Sequence, residues 1–199
     1  NELSYVNIIV EKESTHEEKE LKFRVVPERP ALPTLSLWID RPLQKTTKQD
    51  FLCSIQMPNQ TNSILNFGLA GKRSGIKHRG NTSYVRGRKR SLGLEFEFPH
   101  NIIGDDESRH LVLVSGYADK TRLRNAFTFE MFKKMNPDVN YAPNLTFVEA
   151  CVNGEYAGIY EAINRIDDLN LSSNIVSALR VRRYSNLFST ENFNMFEEI

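Results

Sequence analysis

The sequence contains little cysteine, little tryptophan and no excess of either charge. Two cysteines among 199 residues are too few for a disulfide framework or a cysteine-based zinc site, and both stand in apolar stretches, as small core residues do. The 26 basic and 25 acidic residues leave a net charge of +1, so overall charge predicts no nucleic-acid or membrane partner. No apolar run approaches the roughly 18 residues of a membrane-spanning helix, and the first residues lack the basic start and apolar core of a signal peptide.

The composition predicts one principal domain. Hydrophobic residues make up 40% of the chain, which is enough to exclude wholesale disorder. Three prolines between residues 27 and 33 are too closely spaced to fit inside a regular element. We therefore expect residues 1–30 to form an N-terminal appendage and residues 31–168 to form the domain. Residues 169–199 contain no glycine, proline or aspartate and are too few for a second core, so they are predicted to be a separate C-terminal segment.

Several apolar or alternating segments are typical of β-strands. They are residues 34–39, 51–57, 91–98, 110–115, 145–152 and 156–163. The last two flank Asn153 and Gly154, a pair that suits the two positive-φ positions of a type I′ hairpin turn. The sequence therefore predicts an antiparallel sheet that includes this hairpin.

One long helix is predicted over residues 119–135. Asp119 or Thr121 can cap its start, and an Asn-Pro pair follows its end. Apolar residues recur every four positions, and the stripe that they form is predicted to face the sheet. The stripe consists of Leu123, Phe127, Met131 and Met135. The predicted fold class is thus α+β, an antiparallel sheet with one packed helix.

The segment 72–90 is the most basic part of the chain. It contains eight lysines and arginines, no acid and three interleaved glycines, Gly75, Gly80 and Gly87. A glycine-bearing basic loop can offer backbone N–H groups and guanidinium groups to phosphate. Two alternatives stay open, a solvated turn without a ligand and a nucleic-acid site. The second has only Tyr84 as a stacking platform, and the composition argues against it.

Three blocks of sequence resemble signatures of one family. Arg79-Gly80-Asn81-Thr82-Ser83, with Lys89-Arg90-Ser91-Leu92, is similar to an Arg-Gly-Asn-Ser-Ser … Lys-Lys-Ser-Tyr signature. Residues 119–125 resemble an Asp-x-x-x-Leu-Arg-Asn helix start, and residues 152–160 resemble a Leu-Asn-Gly-Glu-Tyr-x-Gly-Leu-Tyr hairpin. In this order, the blocks are those of the spore coat protein H (CotH) kinase family.

The resemblance implies an atypical protein kinase, with a fold like a kinase N-terminal lobe, that uses ATP and a divalent metal such as Mg²⁺. It implies transfer of phosphate to hydroxyl groups of coat or surface proteins, and an extracytoplasmic, cell-surface or secreted location. Such a lobe needs a phosphate-covering loop, a basic residue on a strand and an acid on the helix. The nucleotide-binding residues expected by resemblance are Arg79, Gly80, Asn81, Ser83, Lys89 and Arg90. Glu130 is the candidate acid that pairs with the strand base.

The catalytic residues stay unassigned, and no metal ligand is predicted within the sequence. Kinases draw their metal-binding carboxylates from a C-terminal lobe, yet no aspartate follows Asp168. We therefore expect the catalytic half to be absent from this chain, with residues 169–199 as the start of a truncated lobe. The alternative is a non-catalytic extracytoplasmic coat or surface assembly protein on the same fold.

Overall fold

The computed structural model describes residues 5–12, 17–24, 31–58, 64–68, 74–103, 107–135 and 143–165. Within these ranges it contains ten strands and two helices. The strands are β1 (Tyr5–Lys12), β2 (Glu17–Arg24), β3 (Thr34–Trp38), β4 (Phe51–Gln56), β5 (Ile64–Gly68), β6 (Gly75–Arg79), β7 (Ser91–His100), β8 (Ser108–Val114), β9 (Leu145–Val152) and β10 (Glu155–Asn164). The helices are α1 (Thr82–Arg86) and α2 (Arg124–Met135). None of the described helices is long and apolar enough to cross a membrane.

Eight strands form one sheet in the order β5-β4-β3-β9-β10-β8-β7-β6. The meander β3-β4-β5 lies at one side, the meander β6-β7-β8 lies at the other, and the β9–β10 hairpin joins them. Neighbouring strands are antiparallel except β3 and β9, which run parallel. The predicted α+β class is confirmed, with this one parallel pair as an addition.

The sheet curls, so that its last strand meets the chain just before β4. Gln49 and Ile76 exchange two backbone hydrogen bonds of 3.1 and 2.9 Å, and His78 N donates to Gln44 O at 2.9 Å. These bonds occupy backbone groups of β6 that would otherwise form an open sheet edge. The inner face of the curl holds the core, whose fully buried side chains include Phe96, Leu35, Leu37, Ile76 and Leu113.

Both cysteines are buried, as the sequence predicts, and Cys53 belongs to this core. Cys53 lies on β4 and Cys151 lies on β9, with β3 between them. Burial raises the pKa of the Cys53 thiol to about 12, so it is a neutral core group at physiological pH.

The predicted hairpin is confirmed. Asn153 and Gly154 have φ values of 50° and 81°, as a type I′ turn requires, and strands β9 and β10 pair on either side of them. The side chain of Asn153 also ties the turn to β3. Its Oδ1 accepts from Ile39 N at 2.8 Å, and its Nδ2 donates to Ile39 O at 2.9 Å.

The predicted contact between the apolar stripe of α2 and the sheet is wrong. Leu123, Phe127, Met131 and Met135 are all exposed, and Phe127 is 66% exposed. The helix begins at Arg124 rather than at residue 119, because residues 116–123 form a tight turn. Asp119 still caps the helix, since its Oδ2 accepts from Arg124 N at 3.0 Å. A polar bond attaches the first turn of α2 to the sheet, since Asn125 Nδ2 donates to Glu161 Oε2 at 2.7 Å. Phe129 and Phe132, outside the predicted stripe, are partly buried.

Strands β1 and β2 form a separate antiparallel hairpin. It contacts the large sheet through Lys22, whose carbonyl oxygen accepts from Trp38 Nε1 at 2.8 Å and whose ammonium pairs with Glu155 at 3.2 Å. The boundary near residue 30 stays a prediction. Residues 25–30 and the predicted C-terminal segment 169–199 lie outside the described residues.

Candidate anion-binding cleft

A cleft of about 590 Å³ is lined by residues of β6, β7, β9 and β10 and of the segments that follow β3 and precede β7. One part of its wall is apolar and the other part is basic. The apolar lining residues are Ile39, Leu43, Leu92, Val152 and Ala157, and the others are His78, Arg88, Lys89, Arg90 and Tyr160. The cleft can therefore hold a ligand that has both an apolar part and a negatively charged part.

Lys89 lies at the centre of the basic part. It belongs to the loop two residues before β7, rather than to the strand in which the resemblance places such a base. Its Nζ donates to the carbonyl oxygen of Ile159 and lies 3.7 Å from the centroid of the Tyr160 ring. Burial, and secondarily the charge of Arg122, lower the pKa of Lys89 to about 8. Lys89 is thus a partly desolvated cation whose charge is sensitive to pH near neutrality.

Gly158 allows Lys89 to lie across β10. This glycine has a φ of 97° and follows an irregularity in the β9–β10 pairing between Tyr156 and Gly158. A Cβ atom at this position would lie 3.2 Å from Lys89 Nζ and 3.6 Å from its Cε. Both the backbone conformation and the close approach of the lysine therefore favour glycine here.

Arg122 approaches the same carbonyl from the turn before α2. Its Nη1 donates to Ile159 O at 2.5 Å, so Arg122 and Lys89 share one acceptor. The φ of Arg122 is 57°, which is uncommon for a residue with a side chain. No pattern in the sequence singles out Arg122, because only the folded sheet brings this turn next to Lys89.

The side chains of Arg90 and His78 both contact the ring of Tyr84, which lies in α1. The guanidinium carbon of Arg90 is 4.5 Å from the ring centroid of Tyr84, and the His78 ring is 5.7 Å from it. Burial and the charge of Arg90 lower the pKa of His78, so this side chain is neutral at physiological pH. The positive charge at the cleft therefore comes from lysine and arginine side chains.

The other residues expected to bind nucleotide lie on the segment between His78 and Arg88. Arg79 ends β6, Gly80 and Asn81 form the turn that follows, and Ser83 lies in α1. The structure brings Lys89 and Arg90 together in the cleft, and it does not include these four residues in the lining.

The fold does not place Glu130 next to Lys89 or Arg90. It is 66% exposed on α2 and forms an i,i+3 ion pair with Lys133 at 3.7 Å. The carboxylate that is buried near the cleft belongs to Glu161, which is 2% exposed and follows Tyr160 on β10. Its Oε2 accepts from Asn125 Nδ2, and its Oε1 has no hydrogen-bond partner.

The described residues alone do not assemble a divalent-metal site. Mg²⁺ is often held by one or two carboxylates together with phosphate oxygens of the substrate. No group of three histidine, cysteine, aspartate or glutamate side chains that could hold a metal occurs in the described part of the chain. We therefore assign no step to a metal ion here.

Comparison with known proteins agrees with the resemblance in the sequence. A family model described as CotH kinase protein matches residues 76–195, which include β7 to β10, all of β6 except its first residue, and residues 76–90 of the basic segment. A search of curated proteins finds no match. Because the family model covers more than half of the 199 residues, the chain belongs to the CotH kinase protein family.

Proposed function

We propose that this chain contributes the nucleotide-binding part of an ATP-dependent protein kinase. The observation that carries the proposal is the cleft beside Lys89, in which an apolar wall lies next to an aromatic ring and a group of basic side chains. A nucleotide matches these two parts of the wall, since its base is a flat ring and its phosphates carry several negative charges. The cleft volume of about 590 Å³ lies within the range of roughly 300–1,000 Å³ that is common for small-molecule sites.

Each part of the cleft has a role in this proposal. Leu43 and Leu92 offer an apolar surface to the base, while Lys89 and Arg90 bind phosphate oxygens through charge-assisted hydrogen bonds. Arg79, Gly80, Asn81 and Ser83 supply further contacts to the phosphates. Bound ATP supplies the phosphoryl group, whose acceptor is a hydroxyl group of a coat or surface protein outside the cytoplasm.

The transfer activity is proposed for the full-length protein. Kinases orient the acceptor hydroxyl with carboxylates of a second lobe, and the residues lining this cleft are apolar, aromatic or basic. What the described chain does in this proposal is bind and orient the nucleotide. The support for kinase activity itself is the family membership.

Titration with ATP tests the proposal. At low ionic strength, we expect the wild-type protein to bind ATP with millimolar or tighter affinity, and Lys89→Ala with Arg90→Ala to weaken binding at least tenfold. Hydrogen bonds to charged groups contribute roughly 1.5–3 kcal/mol each, and two of them are lost. Calorimetry or NMR chemical shifts measure the dissociation constants. Lys120→Ala with Lys134→Ala removes the same charge from exposed positions outside the cleft and should bind as the wild type does.

Several results would contradict the proposal. Absence of binding at millimolar ATP would favour the non-catalytic assembly protein. Equal binding by the Lys89/Arg90 variant would place the phosphates elsewhere. Much tighter binding of single-stranded oligonucleotides than of ATP, with a steep dependence on salt, would favour a nucleic-acid site.

Affinity for ATP should also fall as pH rises through about 8. The pKa of Lys89 is lowered to about 8, so the side chain loses its charge between pH 7 and 9. Phosphate esters have their second pKa near about 6, and the charge of the ligand is therefore constant above pH 7.5. Lys89→Arg, which stays charged, should show a flat profile over this range. An equal decline in the wild type and in Lys89→Arg would exclude Lys89 as the titrating contact.

A further inference from the structure

Two cations converge on one neutral oxygen at the edge of the cleft. Lys89 Nζ and Arg122 Nη1 both donate to the carbonyl of Ile159, whose two lone pairs accept both bonds. This carbonyl lies on β10 just before Glu161, the residue at which pairing with β8 begins. A backbone dipole satisfies the hydrogen-bonding needs of the two groups, but it does not neutralise two positive charges.

Among the described residues, neither Lys89 nor Arg122 forms a salt bridge with a carboxylate. Of the acids nearby, Asp119 binds the turn and Arg124, and buried Glu161 accepts from Asn125 through one oxygen while its Oε1 has no hydrogen-bond partner. After burial, the like charge of Arg122 is the second cause of the lowered pKa of Lys89. The other charged groups around Lys89 are Arg88 and Arg90 on its own loop, and the neighbouring ionisable rings are His78 on β6 and Tyr160 on β10. None of these carries a negative charge near neutral pH.

Arg122 is held in this position by its own turn. Asp119 N donates to Gly116 O at 3.1 Å, and Arg122 N donates to Asp119 O at 3.2 Å. The side chain of Asp119 fixes the turn further by accepting from Thr121 N and from Arg124 N. The left-handed backbone of Arg122 is maintained inside this network. Strained residues of this kind persist where the surrounding structure determines them, and they cluster at ligand-binding sites.

We propose that Arg122 and Lys89 together bind one phosphate group of the ligand, with anionic oxygens replacing the carbonyl of Ile159 as their acceptor. This inference rests on the proposed nucleotide site and adds a residue from a different segment to it. The class of ligand is an oligophosphate, either free or as the phosphate chain of a nucleotide. The planar guanidinium of Arg122 offers two parallel N–H groups to such an oxygen pair, and the ammonium of Lys89 offers a point charge.

The simplest competing role of Arg122 is structural, in which it only ties the turn 116–123 to β10. Two substitutions separate the roles. Arg122→Gln keeps a hydrogen-bond donor for Ile159 and removes the charge. Arg122→Gly removes the side chain and suits a φ of 57° better than arginine does. Lys120→Gln removes one charge from an exposed position in the same turn and is the matched control.

The experiment measures the affinities of these variants for sodium tripolyphosphate and for ATP by calorimetry, together with their melting temperatures. We expect Arg122→Gln and Arg122→Gly to weaken both ligands about tenfold, with melting temperatures close to that of the wild type. Lys120→Gln should keep the wild-type affinity. As an independent readout, the NMR titration of Lys89 should move to higher pH in Arg122→Gln, because the neighbouring positive charge is gone.

Unchanged affinities for both ligands in the Arg122 variants would overturn the inference, and a lower melting temperature alongside them would assign Arg122 the structural role. If the wild type and the Arg122 variants bind ATP, and only the double variant Lys89→Ala with Arg90→Ala does not, the proposed function stands without Arg122. If the wild type binds tripolyphosphate through Arg122 but does not bind ATP, the two-cation site stands and the nucleotide function fails. Failure to bind either ligand would overturn both.

Discussion

Replacing Phe96 by alanine is expected to lower the free energy of unfolding by about 3–5 kcal/mol. Phe96 lies on β7 and is fully buried inside the curled sheet. Its ring packs 5.6 Å from that of Phe51 on β4, so it joins the two halves of the sheet across the core. Truncation leaves a cavity that is lined by side chains from several strands, and the sheet cannot easily collapse to fill it. Urea denaturation followed by circular dichroism measures the effect.

Phe127→Ala is the matched control for Phe96→Ala. It deletes the same atoms from the exposed face of α2, where Phe127 is 66% exposed. Surface substitutions of this kind usually change stability by no more than about 0.5 kcal/mol. A loss of several kcal/mol in Phe127→Ala would mean that the apolar stripe of α2 is covered in solution, as the sequence pattern predicts. Equal small effects in both variants would contradict the core described here.

Gly158→Ala is expected to destabilise the protein by about 1–3 kcal/mol and to weaken the binding of phosphate ligands. The φ of 97° at Gly158 is strained for alanine, whatever space surrounds it. The new methyl group would also lie 3.2 Å from Lys89 Nζ, so the end of the lysine would have to shift by a few tenths of an ångström near the carbonyl of Ile159. Thermal unfolding and ATP titration of the same preparation measure the two effects.

Gly93→Ala provides the comparison for this effect. Gly93 lies on β7 without a positive φ, and the nearest atom to an added Cβ is Arg79 Cδ at 3.9 Å. Alanine should therefore change stability by between nothing and a gain of about 1 kcal/mol, through reduced freedom of the unfolded chain. If Gly158→Ala behaved like Gly93→Ala, neither the backbone strain nor the contact with Lys89 would be important.

Elements with strong local signals could be predicted from the sequence. The β9–β10 hairpin follows from Asn153 and Gly154, whose preference for positive φ is independent of the rest of the chain. The apolar strands β3, β4, β7 and β8 follow from their periodicity. Strand β6 was not predicted, because its basic residues carry no apolar alternation and its place in the sheet depends on pairing with β7 and Gln49. The orientation of α2 was predicted wrongly, because the partly buried side of the helix carries Phe129 and Phe132 instead of the four-residue stripe, and Asn125 binds Glu161.

Some residues of the candidate site could likewise be predicted from the sequence, and others could not. Lys89 and Arg90 stand out in the sequence through a local cluster of charge and through the family signature. Arg122 carries no such signal, since its importance arises from a contact with a residue far away in the chain. Tyr160 ends the hairpin block of the family signature, but its contact with Lys89 arises only in the fold. Glu130 was the candidate acid of the site because it is the only carboxylate between Lys120 and Met135. In the fold, that helix presents Glu130 to solvent and to Lys133.

The parallel pairing of β3 with β9 has a consequence for synthesis of the protein on the ribosome. Thr34 pairs with Glu149, and Leu37 pairs with Val152, so β3 is translated long before its neighbour. At roughly 5–20 residues per second, several seconds pass in which one edge of β3 has no strand beside it. Leu35 and Leu37, which end fully buried, are exposed to other chains during that interval. Until β9 emerges, the nascent chain therefore has an unpaired apolar strand edge, and a fragment that begins at residue 76 would keep β9 but never obtain β3.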